Sequence, residues 1–162
     1  METKRLTKLA LLTTVALIIF VVESYIPVPV PIPGIKLGLA NIITVYAAFT
    51  MTAADAVLIL VCRIVLGSLF TGTAVSMIYS LGGGALCIAV TLLLSKILSD
   101  KQIWIASVCG AICHNIGQLA VAAVVMGTLA VFAYLPALMI SAVVTGAFTG
   151  FAAQALAARL KI

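Results

Sequence analysis

Arg63 is the residue with the most chemistry to explain, because it stands near the middle of a long apolar run that ends at about Phe70. A guanidinium keeps its proton in proteins, so at that depth it must face the interior, a partner or a wet cavity. Two readings stay open: a salt bridge to Glu23 or hydrogen bonds to helix ends, and an anion-binding role. Glu23 lies toward the end of the first apolar run and is the acid available on that side. If it pairs with one of Arg63 and Lys36, the other cation is left for a ligand with negative charge. His114, Asn115 and Gln118 stand together in the run HNIGQ, near the centre of another apolar stretch. Spacings of three and four residues put Gln118 on the same helix face as both of the others. Such side chains either line one cavity or join helices by hydrogen bonds. A histidine at that depth also suits a proton relay or a metal ligand, although one histidine without carboxylates at ligand spacing does not make a metal site.

Other chemistries lack their residues. Cys62, Cys87, Cys109 and Cys113 all fall inside apolar runs and read as small buried residues. Cys109 and Cys113 precede His114 as CxxxCH, which is not the CxxCH of haem attachment. The run Leu81 to Gly84 has no Lys-Ser/Thr ending, so it is no nucleotide loop; it is expected to loosen or kink its helix. The four acids are widely separated, with Asp55 and Asp100 isolated at helix ends. Handling prenyl diphosphates through magnesium needs clustered carboxylates, so this chain alone does not supply that catalysis. No catalytic triad, ATPase motif, metal or cofactor is expected.

The elements that must hold these residues are membrane helices. The chain has 162 residues, 65% of them hydrophobic and 8% charged, and a mean hydropathy of +1.36. Such a composition belongs to an integral membrane protein, read as all-α with six transmembrane helices in a single domain over residues 1–162. The net charge of +5 sits mostly at the ends of apolar runs, as topology requires, and is no nucleic-acid signal. Helix 1 is expected at about 6–26 and is read as a span, not a cleaved leader. Prolines 27, 29, 31 and 33 then make a stiff outer connector over about 26–36, either a plain loop or a lid. Helix 2, about 37–51, is short for a span. Thr52 to Asp55 form a tight turn in which Thr52 or Asp55 caps helix 3, and 71–73 turn the chain into helix 4, which runs to about Leu98. Helix 5 is expected over about 102–126, and Pro136 suits the first turn of helix 6, which ends near Arg159. Lys4, Arg5, Lys8, Lys96 and Lys101 then share one side, which places both termini in the cytoplasm of a multi-pass cell-membrane protein.

Small residues recur at four-residue spacing in two places. Ala142, Gly146 and Gly150 on helix 6 suit close packing within the bundle. Ala10 and Thr14 on helix 1 suit either such packing or docking to a second membrane subunit. No internal repeat is visible, so a self-contained inverted-repeat transporter is not supported.

The segments PIPGIKLGLANI, RIVLGSLFTGT, SLGGG and HNIGQLAV occur in that order. Together they resemble the Gx transporter family, whose members are often labelled heptaprenyl diphosphate synthase component I. That family is similar in size and helix count to the substrate-binding S components of energy-coupling factor (ECF) transporters. The resemblance implies capture of a small, anionic or amphipathic, vitamin-like solute, with a separate transmembrane coupling protein and two ABC-type ATPases supplying the drive. Carried onto this chain, the motifs nominate Lys36, Asn41, Arg63, Ser68, Ser80, His114, Asn115 and Gln118 for the solute. They nominate Ala10 and Thr14, which stand where S components commonly carry paired alanines, for the coupling protein. The competing implication is a non-catalytic membrane component of a prenyl diphosphate synthase, or a protein that binds a quinone or prenyl lipid.

Overall fold

A computed structural model describes residues 2–26, 36–71 and 74–160; the proline positions 27–33 and the turn at 72–73 lie outside them. Six α-helices follow in order: α1 (Glu2–Glu23), α2 (Asn41–Thr50), α3 (Ala53–Thr71), α4 (Ala74–Leu94), α5 (Ile103–Met126) and α6 (Leu135–Arg159). Short 3₁₀ turns, Asp100–Gln102 and Leu129–Tyr134, lead into α5 and α6. Five of the helices are long and apolar enough to cross a bilayer, so the chain is a multi-pass helical membrane protein.

The exception is α2, which has ten residues, seven of them buried. The expected helix over 37–51 begins late because Gly38 holds φ at +85°, a left-handed conformation that a helix cannot continue through. Turn bonds from the Asn41 and Ile42 amides to the Gly38 and Leu39 carbonyls, at 2.9 and 3.1 Å, then open α2. Tyr46, Ala47 and Val45 are all at most 1% exposed, so this helix is enclosed around its circumference. Non-helical backbone at 36–40 therefore lies against protein, the setting in which membrane proteins tolerate it.

At the other end of α2 the chain reverses within two residues. The Thr52 hydroxyl accepts the Asp55 amide at 3.2 Å, the expected cap of α3. Asp55 also receives Arg5, whose Nη2 is 2.6 Å away, and this pair ties the start of α1 to the start of α3. Pro136 occupies the first turn of α6 as expected.

Glycines set how closely the last three helices approach. The run at 82–84 does not interrupt α4, which is helical from Ala74 to Leu94, so the expected loosening is replaced by contact. A Cβ on Gly117 of α5 would stand 2.6 Å from the Gly82 carbonyl oxygen, and one on Gly83 would stand 2.7 Å from that of His114. Gly146 and Gly150 do the same on the other face of α5, where added Cβ atoms would meet the Cα atoms of Val108 and Trp104 at 2.8 and 2.5 Å. Ala142 is buried in line with them, so the small residues of α6 serve packing within the bundle. We expect Gly117→Ala to lower stability by about 1–3 kcal/mol, since backbone faces the added methyl. Thermal unfolding in detergent checks this; an unchanged midpoint removes the close approach as a determinant of packing.

Ala10 and Thr14 lie on the opposite kind of surface. Both are exposed on α1, with Leu11, Val15 and Ile18 exposed beside them. The Thr14 hydroxyl donates to the Ala10 carbonyl at 2.8 Å, so its polar atom is returned to its own helix.

Candidate functional site

A row of buried polar groups runs between the end of α1, the 36–40 segment and the middles of α3, α4 and α5. It begins at Glu23, 2% exposed. The Glu23 carboxylate accepts the Gly38 amide through Oε1 and the Ala40 amide, at 3.2 Å, through Oε2. These are donors that no helix satisfies at the start of α2, so an acid from α1 caps α2 from outside. Of the two readings left open, a salt bridge from Glu23 is not what holds it: among the described residues no ion pair within 4.0 Å joins Glu23 to Arg63 or Lys36. Backbone amides occupy both carboxylate oxygens instead.

Arg63 is 3% exposed and donates from Nη2 to Asn41 Oδ1 at 3.0 Å, while its Nε has no partner. Lys36 is buried as well, and its Nζ lies 3.5 Å from the centre of the Phe20 ring without a hydrogen bond. Burial pushes the Lys36 ammonium down to about 8, with Arg63 acting in the same direction and Glu23 opposing. Phe20 is the floor between these cations, since Arg63 Cζ is 5.8 Å from the same ring centre. An edge of the ring abuts α3, where a Cβ on Gly67 would run into Phe20 Cδ1 and Cε1.

The α4 and α5 side of the row is uncharged. His114 and Gln118 both border Gly83: a Cβ there would be 3.0 Å from His114 Cε1 and 2.8 Å from Gln118 Cγ. His114 also borders Gly38, 3.7 Å from where its Cβ would be, and the same point is 3.0 Å from Asn41 Nδ2. His114 Nδ1, both amide atoms of Gln118 and the Ser76 hydroxyl are buried without a partner. Native proteins leave few such groups unmatched, and each costs about 1–3 kcal/mol when it is. His114 and Gln118 flank the same glycine, Gly83, so their unmatched atoms belong to one stretch of the row, where a polar ligand would satisfy them.

Of the residues nominated from the sequence, Lys36, Asn41, Arg63, His114 and Gln118 are brought into this row, and Ser80 is buried on α4 one turn beyond Ser76. Two take other work. Asn115 donates from Nδ2 to the Leu138 carbonyl at 2.8 Å and so ties α5 to α6. Ser68 is only half-buried, and its hydroxyl lies 2.7 Å from the Val65 carbonyl and 3.3 Å from Met77 Sδ. Phe20 and Ser76 are not among the residues nominated from the sequence. Phe20 precedes Glu23 by three residues and so shares its face, and Ser76 precedes Ser80 by four; both spacings were legible. Among the described residues no three of His, Cys, Asp and Glu are grouped to hold a metal ion.

A family model described as heptaprenyl diphosphate synthase component I matches residues 12–156, a stretch that contains every residue of the buried row. No curated protein and no solved structure matches the chain.

Proposed function

We propose, from the premise that the chain belongs to the heptaprenyl diphosphate synthase component I family, that it is a solute-binding membrane subunit of a transporter, capturing a small anionic or amphipathic, vitamin-like solute. The observation that carries this reading is the charge balance of the row: Arg63 and Lys36 are both buried, and among the described residues the one acid beside them, Glu23, is held by backbone amides. An uncompensated buried cation is costly, and a bound anion removes that cost. In this reading uptake is driven by separate ATPase subunits through a transmembrane coupling protein, as the resemblance of the motifs to S components implies, since the sequence shows no ATPase motif of its own. Arg5, Lys96, Lys101 and Arg159 cluster at one end of the bundle and Lys36 at the other, which favours cytoplasmic termini and a site open to the outer side of the cell membrane.

Native mass spectrometry of the detergent-purified protein tests the reading directly. We expect one bound, negatively charged small molecule that carries no prenyl chain; a protein that retains nothing and takes up no anion sinks the proposal. Recovery of a quinone or a prenyl diphosphate would select the second reading, a non-catalytic component of a prenyl diphosphate synthase, which the family description favours. A catalytic part in that synthesis is not proposed, since Glu23 and Asp55 are occupied by backbone amides and by Arg5 and do not form a metal-binding pair.

The sign of the pH dependence follows from Lys36. An anion favours its protonated form, so capture is strongest below the Lys36 value of about 8 and weakens as the pH rises through it. The slope is at most about tenfold per pH unit. Lys36→Gln should bind more weakly at neutral pH and lose the alkaline decline; a decline that persists in the variant removes Lys36 from the site.

Docking of the coupling protein is proposed for the exposed face of α1 at Ala10 and Thr14. Ala10→Leu or Thr14→Leu should impair co-purification with that protein while leaving solute binding intact. Retention of both properties moves the interface elsewhere.

A further inference from the structure

We infer that the captured solute presents a planar amide or imide edge in addition to its negative group, and that Gln118 reads that edge. This deepens the anion-capture reading above and rests on it. Gln118 is fully enclosed at 0% exposure, yet neither its Nε2 nor its Oε1 has a partner. A carboxamide sets a donor and an acceptor side by side, and an anion offers acceptors only. An anion could therefore satisfy Nε2 while leaving Oε1 facing like charge. A ligand N–H next to a ligand C=O satisfies both atoms at once, as one amide pairs with another.

Position supports the same division of labour. Gln118 and His114 stand together against Gly83, His114 stands against Gly38, and Gly38 adjoins Asn41, which holds Arg63. The amide reader and the guanidinium are thus two ends of one continuous buried row. Between them lies a further unmatched polar atom, His114 Nδ1 on α5. Phe20 lines the cationic end with an aromatic face. A compact planar heterocycle with an acidic substituent matches this sequence of groups.

Two probes with a ring and a carboxylate separate the contributions: orotate carries an imide edge, and benzoate carries none. Calorimetric titration of the purified protein should find orotate at least about tenfold tighter, the lower range of what one satisfied buried polar group contributes. Gln118→Leu should erase that advantage, bringing orotate down to about the affinity of benzoate, because the acidic group is held at the other end of the row. Gln118→Met, closer in shape, serves if the leucine variant does not fold. Equal affinity of the two probes in the unaltered protein overturns the inference and leaves anion capture standing, as does an orotate advantage that survives both substitutions. Binding of neither probe at millimolar concentration overturns anion capture, and the inference with it.

Discussion

Arg63→Ala is expected to lower solute affinity by at least about 100-fold, because it removes a desolvated charge whose loss at buried sites costs several kcal/mol of binding. The variant should still fold. Its lost partner, Asn41 Oδ1, is one neutral acceptor, and the substitution also removes the desolvation cost of the cation, so the two changes oppose each other. Arg63→Lys keeps the charge but not the flat fork that holds Asn41 and leaves Nε free, so its affinity should fall between those of the unaltered protein and the alanine variant. Titration with the retained solute, alongside thermal unfolding, reads both effects. Undiminished affinity in a folded Arg63→Ala protein would end the anion role.

Glu23→Ala should instead be a structural lesion, with a loss of about 1–3 kcal/mol for each donor left unpaired, because it strips the acceptor from two buried amides. The Gly38 and Ala40 amides would lose their acceptor at the point where the chain enters α2. Glu23→Gln keeps one acceptor oxygen and should recover part of the loss. A fall in the unfolding midpoint for alanine, smaller for glutamine, is the expected pattern. Equal midpoints for all three proteins would show that 36–40 is held by packing alone.

These two residues also mark where the sequence was legible and where it was not. The long helices α1 and α3 to α6 were readable because apolar length and charged ends are the same signal that a bilayer imposes. Pro136 and Thr52 behaved as local chemistry dictates. Arg63 stood out because a guanidinium has no neutral escape at that depth. The donors that hold Glu23 could not be foreseen because charge counting sees side chains, whereas they are main-chain amides exposed by the turn at Gly38. Backbone donors leave no mark in composition. The glycines of α4 were read through flexibility, but their neighbours on α5, Gly117 and His114, are more than thirty positions away in the chain, and only the fold brings those backbones together. Gln118 was placed on the right face by its spacing, yet its lack of any partner is a property of three dimensions.

The enclosed helix α2 bears on how the protein is assembled in the first place. Ten residues reach about 15 Å, half the thickness of the hydrocarbon layer, so lipid alone gives this segment no stable resting depth. Its neighbours must enter the bilayer first and close around it. Biogenesis therefore ends, rather than begins, with the segment that carries the asparagine paired to Arg63, and an arrested precursor would have its long helices inserted and its buried polar row still unbuilt.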